Sequence, residues 1–165
     1  MVVITVPQLT VTAEALRGKE RDTLQLTWEE RRWTRRRVMT TGGREIALAL
    51  PTGTVLRHGA VVALEADWYL AIEGRPESVL AVAPRDCAEA VRIAFDVGNR
   101  HFPLGLDGEC LLVPDDGAME QLLSRLGARW ERRQALFDPV GAGHPHAHGT
   151  SALDGHSHSG SPLAP

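Results

Sequence analysis

The sequence predicts an α+β chain in which a small all-β domain precedes a mixed βαββαβ domain and a histidine-rich tail. Three observations carry that order. From Met1 to about Glu73, short β-branched runs alternate with turn residues, and no segment sustains a helical period. At Gly74-Arg75-Pro76 the rhythm breaks, and beyond it capped helical segments alternate with strand-like runs. After Asp138-Pro139 the composition collapses into Gly, Pro, Ala, Ser and His. The expected domains are therefore 1–74, 75–138 and 139–165.

The first half offers six strands, Val2 to Val6, Thr23 to Thr27, Arg36 to Thr40, Glu45 to Leu50, Val61 to Glu65 and Trp68 to Ile72. Thr41-Gly42-Gly43, Pro51-Thr52-Gly53 and His58-Gly59 supply the turns of an antiparallel meander. In the second half Val79 to Ala83 is a strand. Asp86 and Glu89 then have the spacing of a capping box, opening a helix with Val91, Ala94 and Phe95 on one face and Gly98 as its stop. Phe102 to Leu106 and Glu109 to Val113 are joined by Asp107-Gly108, a hairpin signal. Asp115 or Asp116 can cap a second helix carrying Met119, Leu122, Leu123 and Leu126, Gly127 ends it, and Ala128 to Phe137 returns as the last strand. The order βαββαβ is the ferredoxin-like one.

A chain of 165 residues with 43% apolar content can bury one core or two small ones, and a formal charge of -3 demands no polyanionic partner. The stretch from Met1 to Pro7 lacks a basic region and a cleavage site, and no later run reaches membrane-spanning length, so the expected location is cytoplasmic. Cys87 and Cys110 form no CxxC pair and read as small core residues in a reducing compartment, Cys87 within the first turn of a helix. Neither HExxH nor a Walker-type loop occurs, so no enzymatic turnover is expected.

Five of the seven histidines fall in the tail, at His144, His146, His148, His156 and His158. Neutral imidazole suits nickel, zinc and copper, and histidines one residue apart can wrap an ion without a prior fold. The tail therefore reads as a metal-collecting arm, disordered when empty because its composition builds no core. A second binding class is offered by Arg31-Arg32-Trp33-Thr34-Arg35-Arg36-Arg37, where guanidiniums could meet phosphate and Trp33 a base. Glu29 and Glu30 upstream, and the acidic balance of the chain, favour a solvated hairpin with ion pairs over a nucleic-acid surface.

Several motifs resemble the family of the urease accessory protein UreE, a nickel metallochaperone. They are Leu26-Thr27-Trp28-Glu29-Glu30-Arg31, Gly43-Arg44-Glu45-Ile46-Ala47-Leu48-Ala49-Leu50-Pro51-Thr52-Gly53, Leu56-Arg57-His58-Gly59 and, most specifically, Gly98-Asn99-Arg100-His101-Phe102-Pro103-Leu104. The resemblance implies a peptide-binding β domain, a ferredoxin-like domain that dimerises, and nickel (Ni2+) bound at the dimer interface through His101. It also implies the urease accessory GTPase and, through the accessory complex, apo-urease as recipients. Some members carry further histidines where this chain has Asp96, Pro114 and Asp116, so accessory sites in the folded domain are not expected.

From the residues alone, His101 follows a helix stop and opens a strand, which would hold its imidazole between two fixed segments. A single histidine cannot satisfy an ion that wants four to six donors, so a second copy of the chain or the tail must help. Zn2+ or Cu2+ could compete in vitro. The nearest alternative is a nickel or zinc store acting through the tail.

Overall fold

A computed structural model describes residues 1–141. The N-terminal part is β-rich. Its strands are β1 (Val2–Ile4), β2 (Glu20–Leu26), β3 (Arg35–Met39), β4 (Glu45–Ala49), β5 (Val61–Leu64) and β6 (Trp68–Gly74). A short helix α1 (Ala13–Leu16) and a 3-10 turn at Glu30–Arg32 interrupt them. Both escape a periodicity reading because neither completes two turns.

The expected antiparallel meander is not what forms. Two three-stranded sheets occur, ordered β1-β4-β3 and β2-β6-β5, and each contains one parallel pair: β1 with β4, and β2 with β6. Parallel partners need long connections, and here the chain crosses between the two sheets instead of turning back within one. Alternation explains the core. Ile46 and Leu48 of β4 and Leu24 and Leu26 of β2 point inward to meet Leu56, Leu70 and Ile72. The two sheets are also tied by a polar knot. Asp22 of β2, 2% exposed, accepts hydrogen bonds from the Thr40 hydroxyl (2.6 Å), the Arg44 guanidinium (2.9 Å) and the Gly42 (2.9 Å) and Thr23 (2.8 Å) amides.

The C-terminal part is α+β: β7 (Glu77–Val82), α2 (Cys87–Asn99), β8 (Gly105–Asp107), β9 (Cys110–Pro114), α3 (Gly117–Arg125) and β10 (Trp130–Ala135). Its four strands lie in the order β10-β7-β9-β8, all pairs antiparallel, which is the split βαββαβ arrangement. Asp107 pairs with Cys110, so Gly108 and Glu109 form the hairpin loop, with Gly108 at φ 59. Asp116 caps α3 by accepting from the Ala118 amide (2.7 Å), and Gly127 (φ 64) follows its end.

Asp86 caps α2, its side chain accepting from the Glu89 amide at 2.8 Å. The capping box closes one residue early, because the Glu89 carboxylate accepts from the Arg85 amide (2.5 Å) and not from that of Asp86. Hydrogen bonds from the Arg85 side chain hold the Glu89 carboxyl below its usual range. Asp86→Ala should cost about 1 kcal/mol of stability by orphaning the first-turn amide; an unchanged urea midpoint would show that the cap contributes nothing. The face of α2 that packs inward is Ile93 and Val97, with Glu89. Of the apolar face expected from Val91, Ala94 and Phe95, Val91 and Phe95 are 63% and 67% exposed.

The β7-β9 layer is covered on both sides. Leu80, Val82, Leu111 and Val113 meet the helices through Ile93, Val97, Met119, Leu122 and Leu123. Val79, Ala81 and Leu112 point the other way and pack with Phe137 against Trp28 of the N-terminal part. In that seam lies Arg31, with a fully buried side chain. Its guanidinium donates to the Phe137 carbonyl and, at 2.9 Å, to the Asp138 carboxylate, and lies 5.5 Å from the Trp28 ring centroid.

Candidate metal centre

His101 sits where α2 ends, and the way it ends differs from the sequence expectation. Gly98 is not the stop; it lies within the helix, which runs to Asn99. Arg100 is the C-cap, and the chain reverses at His101, whose φ of 59 is the one positive value at a non-glycine position among the described residues. The His101 amide donates to the Gly98 carbonyl (2.9 Å) and the Phe102 amide to that of Val97 (3.4 Å). These are the two bonds of a Schellman motif, with Val97 and Phe102 in the same apolar cluster as its hydrophobic clasp. Glycine ordinarily fills the left-handed position because any other residue brings its Cβ too close to the backbone. A histidine held there is a strained choice, and such strain concentrates at functional sites.

Nor does His101 open a strand. Residues 102–104 belong to no strand, and β8 starts at Gly105. The imidazole is instead placed by the helix cap behind it and by Phe102 and Leu104, which pack into the core ahead of it. The residue itself is exposed. It borders a cleft of about 1140 Å³ that the N-terminal part also lines, with Glu29, Arg32, Trp33 and Thr54 among its residues. Pro139, Val140 and Gly141 line the same cleft. Their course is fixed: the Val140 amide donates to the Leu104 carbonyl (2.8 Å), Pro139 bridges to Gly105, and Arg31 grips the two residues before them. The last described residue, Gly141, thus stands on the rim that carries His101.

Other candidates are placed differently. Asp96, a possible oxygen donor, is 3.9 Å from Arg100, which also donates to the Asp96 carbonyl (3.0 Å). Cys87 is the first residue of α2 and is exposed, not part of a core, and Cys110 is half-buried. His58, read as a simple turn residue, accepts the Gly74 amide on Nδ1 at 2.9 Å and so fixes the exit of β6. Among the described residues no three His, Cys, Asp or Glu side chains gather in a group able to hold a metal ion. His144, His146, His148, His156 and His158 lie outside the described residues. Among those described, no helix is long and apolar enough to cross a membrane.

Comparison with known proteins agrees with the two-part architecture. Residues 6–73 match the family model described as UreE urease accessory protein, N-terminal domain, and residues 77–161 match the one described as UreE urease accessory protein, C-terminal domain. The urease accessory protein UreE of Synechococcus sp. (strain JA-3-3Ab) is 36% identical over 135 residues, 82% of this chain and 83% of the relative. That of Paraburkholderia xenovorans (strain LB400) is 34% identical over 134 residues, covering 79% of this chain and 60% of the relative. For Burkholderia thailandensis the figures are 37% over 130 residues, 76% and 61%. The match to these last two therefore spans only about three fifths of their length. With both halves matched in order, and the match extending past the His101 turn, the chain belongs to the UreE urease accessory protein family.

Proposed function

We propose that this chain is a nickel-binding metallochaperone that delivers Ni2+ during urease active-site assembly. The observation that carries the reading is His101: an exposed imidazole held in left-handed backbone at a helix end, on the cleft where the described chain runs out toward the histidine-rich tail. In this reading residues 1–74 meet partners, 75–138 dimerise and bind metal, and 139–165 collect it. Two chains form a homodimer that pairs their His101 side chains, and His144, His146, His148, His156 and His158 complete the shell. Exposed Val91 and Phe95, one turn apart on α2, offer an apolar strip for a second copy. The ion passes to the urease accessory GTPase and the apo-urease accessory complex; no catalytic step is assigned to the chain itself. Zn2+ and Cu2+ fit the same imidazoles, so selection would rest on availability and on partners.

Calorimetric titration of nickel into the full chain, and into the chain truncated after Val140, tests this. One ion per two truncated chains, weakened about ten-fold or more by His101→Gly, is the expected result. Glycine relieves the left-handed strain, so the same variant should be at least as stable as the parent and gain up to about 1 kcal/mol. Loss of metal with retained stability separates a ligand from a structural residue. Because ligation needs neutral imidazole, affinity should fall as the solution is acidified. A truncated chain that binds no nickel would make the tail the whole metal site and the protein a store.

A further inference from the structure

We propose that the free edge of β3 is a docking strip for an extended acidic segment of a partner protein, which would join the β1-β4-β3 sheet as a fourth strand. β3 is the terminal strand of that sheet, hydrogen-bonded to β4 alone, so the backbone groups on its other edge have no strand partner among the described residues. Such an edge is a template for an added strand.

Its side chains choose what can be added. Arg35, Arg36 and Arg37 are all exposed. Among the described residues Arg35 meets no carboxylate, Arg36 stacks on the Trp33 ring at 4.2 Å, and Arg37 has a loose contact with Glu45 at 3.7 Å. Ion pairs this open contribute little and exchange readily for a stronger partner. Arg35 and Arg37 lie on one face of the strand, two residues apart, at the spacing of carboxylates in an extended peptide with an acid at every second position. The same charges repel a second β3, so the edge refuses copies of itself and admits an acidic strand. Charge alone would serve as protection against aggregation; continuity with the cleft adds a direction. Arg32, Trp33 and Thr34 line the same cleft as His101, and β3 begins at the next residue. A segment docked on β3 would deliver its protein to that cleft.

A single-stranded nucleic acid would also seek guanidiniums, but the aromatic surface it needs is taken. Trp28 is 6% exposed with Arg31 and Arg32 about its ring, and half-buried Trp33 carries Arg36. The strip deepens the proposed reading that residues 1–74 meet partners and rests on that part of it, whereas binding measured without metal is independent of the nickel site.

The test is fluorescence anisotropy of a labelled eight-residue alternating Glu-Val peptide titrated with the full chain in the absence of metal. Saturable binding that weakens between about 50 and 300 mM salt is expected. It should weaken at least about ten-fold for the Arg35→Glu, Arg37→Glu double variant. A peptide N-methylated at alternate residues leaves the protein untouched and removes the strand-pairing amides; it should not bind. Absence of saturable binding, or equal binding by the N-methylated peptide or the double variant, would overturn the proposal. Equal or tighter binding of an eight-residue oligothymidylate would overturn it in favour of a nucleic-acid surface.

Discussion

Arg31→Ala is expected to lower the unfolding free energy by about 3 kcal/mol, from the void it leaves and the buried acceptor it abandons. The Phe137 carbonyl would lose the guanidinium, and the space beside Trp28 would not refill. Asp138 matters less, because its side chain is half exposed and water can take over. For the same reason Arg31→Met, which keeps the stem and discards the charge, should cost about half as much. Urea midpoints of the two variants separate packing from hydrogen bonding. Hydrogen exchange should also show faster exchange at Val140, since its bond to Leu104 lies two residues beyond the grip. An Arg31→Ala midpoint equal to the parent's would remove Arg31 as the fastener of the seam.

Asp22→Ala is expected to cost a similar amount, about 3 kcal/mol at neutral pH, because the amides of Gly42 and Thr23 and the Thr40 hydroxyl lose their acceptor together. Burial raises the pKa of this carboxyl, but hydrogen bonds from Thr40, Arg44, Gly42 and Thr23 outweigh it and bring the value to about 2 from 3.8. The sign follows. A carboxyl easier to ionise when folded stabilises the native state above its unfolded pKa, and that contribution disappears as pH falls from about 4 through 2. The parent should thus lose about 2 kcal/mol across this window through Asp22, and the alanine variant should lack that component. Equal acid slopes for the two would contradict the assignment.

Residue chemistry made the strand positions legible, because alternation in Glu45–Ala49 and the turn glycines act locally. Pairing was not legible: β1 meets β4 and β2 meets β6 across more than forty residues, and nothing in either segment encodes that choice. In the second half the caps at Asp86, Asp116 and Gly127 were readable as chemistry. The end of α2 was misread because glycine is the usual signal and this helix spends its left-handed position on His101. The identity of His101 as a candidate came from its motif; its exposure and its cleft came from the seam between the two parts, which no local pattern reveals. Val91 and Phe95 likewise obey apolar spacing yet face outward, since periodicity finds a stripe without saying what covers it.

The sheet built on β7 and β9 has one face under its own helices and the other against Trp28. Separately expressed halves would therefore each be cut through a shared interior: the C-terminal half would present Val79, Ala81, Leu112 and Phe137 to water, and the N-terminal half would bare Trp28. Thermal unfolding of the intact chain should accordingly be a single cooperative transition, with calorimetric and van't Hoff enthalpies in agreement. Dissecting the protein into halves to assign its activities would then compare two damaged objects, and single-residue variants of the whole chain are the sounder instrument.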